Sequence, residues 1–220
     1  MGEIIVKITV NNLTKKFKDI VVVNDVNVTF ESGKIYGLIG RNGSGKSVFL
    51  KMLCGFYIPT SGQILFDGID YIKENGFPKN TRAMIEKPEF IPDLTGFENL
   101  KLLASIQNKI SDVEIIKSLE EVNLISEKDK KFSKYSLGMK QKLGIAQVIM
   151  ENPDVMIFDE PFNGIEEETV IKLRKTFKKY ASEGKLIIIA SHIKEDVETL
   201  IDCVYKFDNG IVKIEEYEKH

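Results

Sequence analysis

The eight residues Gly40-Arg41-Asn42-Gly43-Ser44-Gly45-Lys46-Ser47 have the types and spacing to hold a polyphosphate. Glycines at 40, 43 and 45 let backbone N–H groups turn inward, and a helix opening behind them adds partial positive charge. Lys46 is placed to reach β- and γ-phosphates, and the Ser47 hydroxyl to hold Mg²⁺. Val48 offers no hydroxyl for a further phosphate contact but keeps its backbone donor. A second cluster ends the apolar run at 155–158 with two carboxylates, Asp159 and Glu160. From the edge of a sheet Asp159 would orient Mg²⁺ through water. Glu160, one residue farther out, would polarise a water for in-line attack on the γ-phosphate. Between the two clusters lies Tyr135-Ser136-Leu137-Gly138-Met139-Lys140-Gln141, in which Ser136 reads either as a plain helix cap or as a phosphate grip.

These groups need a scaffold, and the apolar pattern supplies one. Residues 34–39 predict a short strand feeding the phosphate loop, and 47–53 the helix it opens. Strands are expected at 4–10, 21–23, 26–30 and 63–66. From about 88 to 150 the pattern turns helical, with helices over 97–107 and over 112–122, the second capped by Ser111 with Glu114 three residues on. Strand and helix then alternate: 155–158, 167–180, 186–190 and 194–200. Asp208-Asn209-Gly210 predicts a closing hairpin. The sum is a single α/β domain over 1–220, its core formed by 1–87 and 151–220 and interrupted by a helical insertion at about 88–150.

The chain has 220 residues, a net charge of -2, 43% hydrophobic and 29% charged residues. That balance suits a soluble globular domain and gives no broad basic face, so nucleic acid is not expected as a partner. The longest apolar runs are too short to span a bilayer, and no charged-then-apolar leader opens the chain. Cys54 and Cys203 share no metal or redox spacing and read as small core residues in a reducing compartment. Around helix 167–180, Val170, Leu173 and Phe177 form a buried stripe. Arg174 with Lys172, Lys175, Lys178 and Lys179 reads as a solvated face.

Taken in order, these motifs resemble the nucleotide-binding subunit of an ABC transporter over essentially the whole chain. The Ile85-Glu86-Lys87-Pro88 context and Leu94-Thr95-Gly96-Phe97 resemble the antimicrobial-peptide export and self-immunity branch. The resemblance implies a P-loop NTPase core with a mainly parallel sheet, an N-terminal antiparallel β-layer and an inserted α-helical subdomain. It implies ATP and Mg²⁺ as ligands, with Lys46 and Glu86 acting beside Glu160, and Glu86 also on the metal. Phe17 would stack on adenine, against the alternative of a core phenylalanine. Ser136 and Gly138 would grip the γ-phosphate held by an opposite subunit, although Tyr135, Leu137 and Met139 depart from the usual Leu-Ser-Gly-Gly-Gln. His192 would bond the γ-phosphate, while His220 is expected to be inert. Glu86 stands where the family carries Gln, and Glu166 where it carries Asp. Both departures imply altered coupling.

The implied partners are separate transmembrane permease subunits, meeting Phe90, Ile91 and Pro92, and a second ABC ATPase subunit. The implied location is the cytoplasmic face of the cell membrane, as a peripheral protein. Two other readings compete: a soluble ABC ATPase of translation or DNA repair, and a small-molecule phosphotransferase. Relatives of the first kind usually carry two cassettes or a long coiled-coil insertion. The second would not need Ser136, Glu160 and His192 in this order.

Overall fold

A computed structural model of the protein describes residues 6–74, 76–192 and 194–215, so the expected start of the first strand and His220 lie outside it. Alternation of apolar and polar residues produces strands β1 (Lys7–Phe17) and β2 (Ile20–Glu31), paired antiparallel. Ile8, Val10, Leu13, Val26 and Phe30 turn inward. Residues 20–31 form one strand where the sequence suggested two. Asp25, at φ 49°, sits in a bulge that bends the ladder without ending it. Strand β3 (Ile35–Ile39) runs into the phosphate loop and helix α1 (Lys46–Leu53). β4 (Ser61–Phe66) returns to the other edge of β1, giving a three-stranded sheet ordered β2-β1-β4. β5 (Thr81–Met84) forms one edge of the second sheet, to which β3 also belongs.

The next segment is helical: α2 (Gly96–Gln107), α3 (Asp112–Glu121) and α4 (Leu137–Ile149). Helices α2 and α3 open with complete capping boxes, Thr95 with Glu98 and Ser111 with Glu114. Leu100, Ile115, Leu119, Leu143 and Ala146 bury their shared faces. Then come β6 (Val155–Asp159), α5 (Glu167–Ser182), β7 (Leu186–Ala190), α6 (Lys194–Thr199), β8 (Cys203–Asp208) and β9 (Ile211–Glu215). The second sheet is ordered β5-β6-β7-β3-β8-β9, parallel except for β9. Asn209 and Gly210, at φ 48° and 78°, close the last hairpin with both central residues left-handed.

The apolar runs are continuous because both faces of the parallel sheet are covered. Val155, Ile157, Leu186 and Ile188 pack with the antiparallel layer and α1. Met156, Phe158, Ile187 and Ile189 face the opposite way, onto residues of α4 and α5 such as Ile145, Leu173 and Phe177. Two expectations are corrected. Phe17 is 39% exposed, so the alternative of a core phenylalanine fails: β1 ends there, and Tyr57 and Lys15 cover the ring only in part. Arg174 is 8% exposed and does not belong to the solvated face of α5, because carboxylates of α6 meet it. Cys54 is buried, and the apolar surroundings push its thiol pKa up to about 12.

Candidate active site

Strand β3 ends where the chain wraps into the phosphate loop. Gly45 has φ 106°, and a side-chain carbon there would lie 2.6 Å from the Val22 carbonyl oxygen, so both conformation and space demand glycine. Behind it Lys46 is buried, and its Nζ donates to Gly40 O at 2.6 Å and to Arg41 O at 3.3 Å. Burial lowers the Lys46 pKa, while the nearby Glu160 and Asp159 carboxylates oppose that shift. The loop opens onto a recess of about 590 Å³. Asn42, Gly43, Ser44, Gly45, Lys46, Ser47 and Val48 form one wall, with Glu86, Asp159 and Glu160 facing them. Two buried oxygens of residues lining the recess, Ser44 Oγ on one side and Glu160 Oε2 on the other, have no hydrogen-bond partner. Leaving such atoms unsatisfied is costly, and a polar ligand would remove the cost.

The sheet register fixes the second half of the site. Asp159 pairs with Ala190, so Glu160 and His192 emerge one and two residues beyond that rung at the same end of the sheet. Glu160 itself is left-handed at φ 50°, which turns the chain sharply off the strand end. Its N–H donates to Ala190 O and its carbonyl accepts from Gln141 Nε2, each at 2.8 Å. The carboxylate Oε1 then meets His192 Nδ1 at 2.7 Å. Asp159 stays buried at the strand end beside Lys46.

Glu86 also has positive φ, 67°, and its Oε1 pairs with Lys51 Nζ at 2.5 Å. Lys51 sits in the last turn of α1, and this carboxylate raises its pKa. Phe17 is not among the residues lining the recess. Its ring is edge-on to Tyr57 at 5.5 Å, with Lys15 Nζ 4.9 Å from its centre. Ser136 is exposed, and its Oγ caps α4 by accepting from Met139 N–H at 3.2 Å. Gly138 is buried, where a side-chain carbon would fall 2.3 Å from Gly164 O. Glu166 precedes α5 and pairs with the buried Lys142 at 3.2 Å; a backbone N–H first and Lys142 second hold its pKa down. The structure thus gathers residues 42–48, Glu86, Asp159 and Glu160 around the recess, brings His192 to it through Glu160, and leaves Phe17, Ser136 and Gly138 outside its lining. Sequence reasoning missed Gln141, Asn163 and Lys51. Gln141 had a signal, since it lies in the Ser-x-Gly stretch.

A protein-family model described as ABC transporter matches residues 23–163. This chain belongs to the ABC transporter family. An uncharacterized ABC transporter ATP-binding protein, YybJ of Bacillus subtilis (strain 168), is 42% identical to this ABC protein over 95% of the chain and 96% of its own. The bacitracin transport ATP-binding protein BcrA of Enterococcus faecalis is 42% identical over 92% of this chain and 67% of its own. The lantibiotic transport ATP-binding protein SrtF of Streptococcus pyogenes is 34% identical over 95% and 90%. Among solved structures, an ATP-binding subunit of an ABC transporter superposes with a TM-score of 0.84 at 27% identity, covering 94% of this chain and 88% of that one. A dimeric ATP-binding cassette in a post-hydrolysis state, bound to ADP and Pi, shares the fold with a TM-score of 0.86 at 21% identity over 95% and 98%. The protein is an ATP-binding ABC ATPase subunit of the transport type. Among the described residues no helix is long and apolar enough to cross a membrane.

Proposed function

We propose that this subunit hydrolyses ATP in the recess between the phosphate loop and the end of β6, and so powers export of an antimicrobial peptide or drug across the membrane. The observation that carries the reading is the Glu160–His192 contact at 2.7 Å beside an unsatisfied Glu160 Oε2. One carboxylate oxygen is held by the histidine, and the other is left to accept a proton from water. The ligand fits what is present: Ser44 Oγ lacks a partner, and Lys46 has only carbonyls to bind. Backbone N–H groups of residues 42–47 would bind the phosphates, and Lys46 would exchange its two carbonyls for phosphate oxygens. Phe17, half-exposed at the end of β1, would receive the adenine face.

Mg²⁺ would be held by Ser47 and Asp159, with Glu86 near; when bound it neutralises charge on the phosphate oxygens. Ser136 and the start of α4 would meet the nucleotide of a second cassette, identical or related. Residues 88–150 would move as a lobe on the rest of the chain. Permease contact at the cytoplasmic face is proposed along Phe90, Ile91 and Pro92, where recesses of about 460 and 400 Å³ flank the loop. The names of BcrA and SrtF support a peptide-antibiotic cargo.

Glu160→Gln tests the reading. It should bind ATP normally, lose hydrolysis by about 10²-fold or more, and accumulate an ATP-bound dimer measurable by light scattering. Turnover at the normal rate would remove Glu160 from the base role.

A further inference from the structure

A second charged cluster lies behind His192, outside the recess. Arg174, in the middle of α5, places Nε and Nη2 on Asp196 Oδ1 at 3.2 and 2.8 Å, and Nη1 on Glu195 Oε1 at 2.8 Å. Asp196 is 1% exposed, and its other oxygen, Oδ2, accepts the Ser191 hydroxyl at 2.8 Å. Ser191 is the residue before His192, and its N–H also binds Leu38 O at 3.2 Å. The same guanidinium lies 5.9 Å from the Phe162 ring and 3.8 Å from Glu167. Phe162 follows Glu160 by two residues. One buried cation therefore touches both chain segments that carry the Glu160–His192 pair.

A buried ion pair is weak evidence for stability, because apolar residues of similar size often serve as well. What charge and a planar fork add is direction. The guanidinium fixes Asp196 through two donors, and Asp196 then has one oxygen left, aimed at Ser191. We propose that Arg174 and Asp196 are positioning residues for hydrolysis, acting through Ser191 to hold the His192 ring on Glu160. The inference rests on reading Glu160 and His192 as the hydrolytic pair. The functional analogue is the outer-shell carboxylate that orients a working histidine, here displaced by one residue and routed through a hydroxyl.

The test is steady-state ATP hydrolysis by the full chain carrying Ser191→Ala, Asp196→Asn or Arg174→Lys, each alone and combined with His192→Ala. Each single change should lower kcat by about tenfold or more, with KM for ATP within about twofold, since the phosphate loop is untouched. In the His192→Ala background the same changes should cost nothing further, because residues acting through one group are not additive. Ser191→Ala leaves the Arg174–Asp196 pair in place, so it decides the matter if Asp196→Asn fails to fold. Unchanged kcat in Ser191→Ala, or equal losses with and without His192, would overturn the proposal while leaving the hydrolytic pair intact. Unchanged kcat in His192→Ala would overturn both.

Discussion

Glu86 shows how a charge at the rim of the recess is accommodated by a partner distant in the chain. A glutamate beside phosphates adds repulsion, and Lys51, which the sequence did not single out, supplies the opposing charge at 2.5 Å. Mg²⁺ and Lys51 would then compete for one carboxylate. Glu86→Gln should remove the carboxylate from the metal and raise the Mg²⁺ concentration for half-maximal hydrolysis about two- to tenfold. A Mg²⁺ titration that does not move, with an unchanged rate, would refute the metal role. At this scale the sequence was legible wherever chemistry is written in adjacent letters, as in residues 40–47 and 159–160. It was silent on Lys51 and misleading on Arg174. Their partners stand 35 and 22 residues away in the chain, and only the packing of α1 and α6 brings them close. A helical wheel sees the face of one helix and not what covers it.

Among the elements, helix starts were readable because caps are local. Ser111 and Glu114 satisfy each other's backbone donors as their spacing predicts. Ser111→Ala should therefore destabilise the protein by about 1 kcal/mol in denaturant unfolding, without touching ATP binding. Strand β5 was not readable: Thr81–Met84 carries no apolar run and becomes a strand only by pairing parallel with β6. The start of α4 lies between these cases. Ser136 caps it as the letters allow, whereas the need for Gly138 comes from the Gly164 carbonyl crossing above. Gly138→Ala should push α4 away from the turn before α5, at a cost of about 1–3 kcal/mol by thermal melting. A melting temperature equal to that of the parent would show that the turn yields freely.

At the scale of the whole molecule, the order of motifs announced a mainly parallel sheet, an N-terminal antiparallel β-layer and inserted helices, and these are the parts the fold contains. The surface for a membrane partner is a different matter, since no sequence pattern says which apolar residues remain outside. Ile91 and Leu102 are 46% and 48% exposed beside the recesses that flank Phe90. Replacing Ile91 and Leu102 together by aspartate should abolish co-purification with a permease subunit while leaving ATP hydrolysis by the free chain within about twofold. Retained co-purification would place the docking surface elsewhere.

The last hairpin carries a consequence for how the protein is made. Ser44 accepts from the Gly210 N–H through its carbonyl at 3.0 Å, the Gly210 carbonyl accepts from Asn24 N–H at 2.8 Å, and the Phe207 carbonyl lies directly beneath Gly40. The floor of the phosphate loop is thus laid by residues that leave the ribosome more than 160 positions after the loop itself. A nascent chain that already contains every phosphate-binding letter has no finished place to put a nucleotide. Competence to bind ATP should therefore wait for residues 207–210, and a chain cut short before them should fail to retain nucleotide even with its phosphate loop whole.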